Sequence, residues 1–190
     1  MELEAVLQWR FAEAAAGNLD HALNEAAARG HAESVERLLD WRADPAAVAS
    51  RPLAERLAAI AGAGFDANVF AGAAALHAAA AAGNADTLGA LLEGGSCLEA
   101  RTEMGATPLH FAALAGRPDA ARRLLAGGAA VGAAAVVGTT PLHLAALFGH
   151  AAVAEVLLAR RAVVGATQDN GFTPLHLSAS PRLCWRIGPP

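Results

Sequence analysis

The sequence contains no lysine and no tyrosine, and only 2 cysteines and 3 tryptophans among 190 residues. Without lysine there is no phosphate-cradling loop that ends in Gly-Lys-Ser/Thr. All 14 basic residues are therefore arginine, against 18 acidic ones, for a net charge of −4. That balance argues against nucleic-acid binding, which leaves a basic footprint. Cys97 and Cys184 are too few for a disulfide framework and fit a reducing compartment, or no redox role at all. The N-terminus, Met1-Glu2-Leu3-Glu4, is acidic where an export signal would be basic. Serine is scarce, at 34, 50, 96, 178 and 180, and none lies in a Gly-x-Ser-x-Gly turn.

Charge is also missing locally. No ionised side chain occurs between Arg123 and Glu155, a stretch longer than the roughly 20 residues a membrane helix needs. It carries Gly127, Gly128, Gly132, Gly138, Pro141 and His143, which is poor composition for a membrane span, and the reading expects none. What the chain has in excess is alanine, 53 residues of 190. A core of such small side chains favours closely packed helices over a β-sandwich.

The residues present repeat. Leu-His occurs at 76–77, 109–110, 142–143 and 175–176, always 33 residues apart. The last three lie in Thr107-Pro108-Leu109-His110, Thr140-Pro141-Leu142-His143 and Thr173-Pro174-Leu175-His176. In the first, Ala74 and Ala75 stand for Thr and Pro. An Ala-Ala pair follows at 79–80, 112–113 and 145–146, then a glycine at 83, 116 and 149, then Leu-Leu at 91–92, 124–125 and 157–158. Thr before Pro suits a helix start. Leu109, Ala112 and Ala113 share one helical face, and Gly116 ends that helix. A second short helix, near 118–126, presents Ala121, Leu124 and Leu125. Each unit is helix, turn, helix and extended finger, and must stack to bury its apolar stripe.

This pattern resembles the ankyrin repeat, with its Thr-Pro-Leu-His opening at 33-residue spacing. The resemblance covers most of the chain and implies an all-α solenoid of stacked helix-turn-helix units with extended fingers. The expected division is a capping helix at 1–18, a divergent first unit at 19–43 and a shortened unit at 44–71. Repeats follow at 72–104, 105–137 and 138–170, and then a truncated last repeat and tail at 171–190. The first unit is read from Leu23, Ala26, Ala27, Gly30, Val35, Leu38 and Leu39, offset by 53 residues from the next. Two expectations hold for the tail: Leu183, Trp185 and Ile187 fold over the half-covered side of helix 151–159, or the chain is a truncated product without independent function.

No catalytic constellation emerges, so the chain is read as no enzyme, with no cofactor and no metal. Histidines one repeat apart, about 10 Å between neighbouring helices, are too distant to share a zinc ion. The resemblance instead makes His77, His110, His143 and His176, with Thr107, Thr140 and Thr173, structural, each histidine bonding turn backbone. It also implies that a partner protein touches the finger tips and the exposed side of the first helices. By register these are Phe70, Met104, Leu114, Val136, Val137, Leu147, Phe148 and Phe172, beside Glu103, Asp169 and Asn170. The expected stripe is apolar, as interaction surfaces often are. The expected role is non-catalytic protein–protein recognition by a monomer inside the cell, in cytoplasm or nucleus. An adaptor that recruits substrates to a larger complex, such as a ubiquitin ligase, is the alternative.

Overall fold

A computed structural model describes residues 19–47 and 71–179. The expected capping helix at 1–18, most of the shortened unit at 44–71, Phe70, and the tail from residue 180 lie outside the described residues. Within them the helices come in pairs. Helix α1 (Leu19–Arg29) is followed by α2 (Ala32–Asp40), α3 (Ala75–Ala82) by α4 (Ala85–Glu93), and α5 (Pro108–Leu114) by α6 (Pro118–Ala126). The last pair is α7 (Pro141–Leu147) and α8 (Ala151–Ala159), and α9 (Pro174–Ala179) opens a further unit.

Two layers result. The first helices stack α1 on α3 on α5 on α7 on α9, and the second helices stack α2 on α4 on α6 on α8. The core lies between the layers: Leu23, Leu76, Leu88, Leu91, Leu109, Leu124 and Leu157 are each almost wholly buried. Between them run alanines, including Ala26, Ala27, Ala78, Ala79, Ala112 and Ala113, none of them exposed. Small side chains on facing helices let the backbones approach, which is why an alanine-rich chain takes this form.

The turn inside each pair depends on a left-handed residue. Gly116 has φ 65° and Gly83 has φ 85°. A Cβ on Gly116 would lie 2.6 Å from Nδ1 of His150, so a larger residue would be strained in conformation and would have to displace that ring. The turn after the second helix also needs one left-handed residue. Gly95 (φ 87°) and Gly128 (φ 97°) fill it in two units, but Arg42 (φ 66°) and Arg161 (φ 63°) do so in the others. An L side chain in that region costs about 1 kcal/mol. Arg161→Gly is therefore expected to stabilise the fold by about 0.5–1 kcal/mol, read as a rise in denaturant midpoint.

Candidate protein-recognition surface

The third residue of α3, α5, α7 and α9 is a histidine whose Nδ1 bonds the helix start, and in α3, α5 and α7 its Nε2 reaches the next finger. In the third unit the backbone N–H of Thr107 donates to Nδ1 of His110 at 3.1 Å, and the Thr107 hydroxyl lies 2.9 Å from the same atom. An amide N–H can only donate, so Nδ1 is the acceptor and the ring proton sits on Nε2. That N–H points at the carbonyl of Thr139, 3.0 Å away in the next finger. His143 repeats the arrangement, with Thr140 on one side and the Phe172 carbonyl at 3.2 Å on the other. His77 accepts from the Ala74 N–H at 3.1 Å and faces the carbonyls of Ala100 and Ala106. His176 makes the same local contact with Thr173.

The carbonyls that these rings reach also close the fingers. Thr102 N–H donates to Ala106 O at 3.0 Å, Ala135 to Thr139 O at 2.8 Å, and Gln168 to Phe172 O at 2.9 Å. Each finger is thus a tight hairpin, and a histidine of the preceding unit holds its base. Burial of the rings lowers the pKa of His77 and of His110 to about 4. Bonds to carbonyls oppose that shift in both, and the Arg101 charge adds to it at His110. His143 shifts the same way for the same first reason. These rings are therefore neutral at physiological pH. Among the described residues no three His, Cys, Asp or Glu side chains cluster as a metal site would require.

Among the described residues the finger tips are the central pairs of three hairpin turns: Glu103-Met104, Val136-Val137 and Asp169-Asn170. They are bonded to one another in a row. Glu103 N–H donates to Ala71 O at 3.0 Å, Val136 to Met104 O at 2.9 Å, and Asp169 to Val137 O at 3.1 Å. Met104, Val136, Val137 and Phe172 are exposed, at 38%, 46%, 52% and 39%. The middle tip is unusual. Val137 has φ 56° and ψ 26°, left-handed values that a β-branched residue adopts only under strain.

The remaining expected contacts are placed differently. Leu114 and Leu147, expected on an exposed helix side, are buried. In the first-helix layer α7 stacks on α5 and α9 on α7, and close approach of these alanine-containing helices accounts for the burial. Phe148 is half-buried at the end of α7, packs against the core and stacks on His150. It is not the freely presented anchor that the sequence suggested. The stripe on the described residues narrows to the tips and Phe172.

Sequence reasoning also missed residues that join the units. Asn84 Nδ2 donates to Gly30 O at 2.9 Å, Arg117 Nε to Ala81 O at 3.1 Å, and His150 Nε2 faces Leu114 O at 3.1 Å. Three residue types do one job, donating to a carbonyl near the end of the preceding first helix. The available signal was position, since each follows the closing glycine directly. Asn24 was missed too. It occupies the histidine register of the first unit and donates to Asp20 O at 3.0 Å and Ala47 O at 3.3 Å.

Paired helices in two layers, with hairpin fingers tied to them by histidines, define a solenoid of the helix-turn-helix-finger class. A family model described as ankyrin repeats, in three copies, matches residues 23–135, and a single ankyrin-repeat model matches residues 137–168. The chain belongs to the ankyrin-repeat family. A search of curated proteins found no match. Ankyrin repeats in general mediate protein–protein interaction and are generally not catalytic. Among the described residues no helix is long and apolar enough to cross a membrane.

Proposed function

We propose that this protein is a non-catalytic recognition module whose row of finger tips holds a segment of another protein. Met104, Val136, Val137 and Phe172 supply the apolar contact. Leu114 and Leu147 take no direct part, and Phe148 supports the surface from below.

The observation that carries this reading is the middle finger tip. Val137 is half exposed and held in a left-handed conformation. Glycine or asparagine would fit there with less strain. A strained, solvent-facing, β-branched residue adds little to stability, so its value lies in what it presents. Local strain of this kind concentrates at functional sites. The row of backbone bonds on either side fixes the tips in advance, so a partner meets a surface that needs little ordering.

Stability and binding should respond separately at Val137. Val137→Gly is expected to raise the free energy of unfolding by about 1 kcal/mol while reducing the amount of partner retained from a cell lysate. A double variant, Val136→Asp with Val137→Asp, is expected to retain none while keeping wild-type helicity by circular dichroism. Equal retention by all three proteins would place binding elsewhere on the molecule.

A further inference from the structure

We infer that the segment held at the finger tips carries cationic side chains on both sides of a central apolar pair, an inference that rests on the recognition reading above. Along the row the tips read Glu103-Met104, Val136-Val137 and Asp169-Asn170. Glu103 and Asp169 are exposed, and their backbones are fixed by the bonds to Ala71 and Val137. The middle tip is apolar and lies in the long charge-free stretch between Arg123 and Glu155. A carboxylate therefore stands at each end of an apolar centre.

Among the described residues the charges beside the row leave it net acidic, with Glu99, Glu103 and Asp169 against Arg101. Arg101 keeps its charge, and its guanidinium is held on the carbonyls of Gly105 and Ala134 rather than in an ion pair. Glu99 is engaged as well, accepting from the Ala130 N–H. The arginines of the later units, Arg117, Arg122, Arg123, Arg160 and Arg161, belong to the second helices and their flanking turns. Arg122 pairs with Asp119, Arg123 lies 4.0 Å from Glu93, and Arg117 and Arg160 donate to backbone carbonyls.

Spacing refines the partner. Glu103 and Asp169 are two units apart, about 20 Å at about 10 Å per stacked helix. An extended chain covers that in roughly six residues. The matching segment is an extended stretch with Arg or Lys at each end and an apolar pair between. The apolar pair supplies contact area, and the flanking charges set register and speed encounter.

The test pans a random-peptide library displayed on phage against the full chain, then measures a selected synthetic peptide by fluorescence anisotropy at low and physiological salt. Two variants run beside it: Glu103→Gln with Asp169→Asn, and Val136→Asp with Val137→Asp. The expected result is an apolar pair bracketed by basic residues. The neutralised variant should bind it about tenfold more weakly and with less salt dependence, about threefold for each exposed pair. Apolar pairs without basic flanks, or unchanged affinity in the neutralised variant, would overturn the cationic flanks and leave finger-tip recognition standing. Selection of the same peptides by the Val136→Asp, Val137→Asp variant, or no enrichment at all, would overturn both.

Discussion

Lowering the pH from neutral to about 4 is expected to remove roughly 6 kcal/mol of stability through His77 and His110 alone. Both rings ionise near 6.5 in an unfolded chain and near 4 in the folded one, because burial penalises their charged form. Above pH 6.5 the rings are neutral in both states and stability does not depend on them. Between 6.5 and 4 the unfolded chain takes up protons that the folded chain refuses, so stability falls with pH. Below 4 both states are protonated and the loss stops growing. Each ring contributes about 3 kcal/mol over that window. The sum approaches the whole stability of a typical domain, about 5–15 kcal/mol.

The structural cause is specific. Nδ1 of His110 accepts from the Thr107 N–H. A proton on Nδ1 would set two donors against each other and break the link between helix start and finger. Acid therefore separates the units as it unfolds them. Urea unfolding followed by circular dichroism should show a slope approaching two protons between pH 4 and 6.5, with a further contribution from His143. His110→Gln carries no titrating group, so its slope should fall by about one proton even though its absolute stability is lower. A profile that is flat in this window, or a slope unchanged by His110→Gln, would mean that the rings are open to water.

Much of the fold was legible because it is periodic. Thr-Pro-Leu-His fixed where α5, α7 and α9 begin, and the first leucine of each Leu-Leu pair marked the inward face of the second helices. What stayed hidden depends on distance rather than on sequence identity. Leu114 and Leu147 look exposed when a helix is drawn alone, and are buried because alanines let the next helix come close. Asn84, Arg117 and His150 share no residue type, only an N–H donor at one register, so a search for repeated letters passes over them. The conformation of Val137 is equally invisible in a string of residues. A Val-Val-Gly tip reads as ordinary, and its strain appears only in the backbone angles.

The same leucine in two copies of one motif should respond very unequally to the same change. Leu109 and Leu175 both follow Thr-Pro and precede His. Leu109 is 1% exposed, on a helix packed between α3 and α7, whereas Leu175 on α9 is 71% exposed. Leu109→Ala removes buried methyl groups and leaves a cavity that rigid neighbours cannot fill, so a loss of about 2–5 kcal/mol is expected. Leu175→Ala removes groups that already meet water, and should change stability by no more than about 0.5 kcal/mol. Leu142, at 4%, belongs with Leu109. The second-helix layer follows the same rule: Leu125 is covered by the following unit at 6% exposure, while its counterpart Leu158 is 44% exposed. Burial in a stacked array is thus conferred by the neighbouring unit, and the motif alone cannot state it. Paired urea titrations of Leu109→Ala and Leu175→Ala read this directly. A Leu109→Ala midpoint equal to wild type would refute the stacking register. A loss at Leu175 as large as at Leu109 would show that its face is covered in solution.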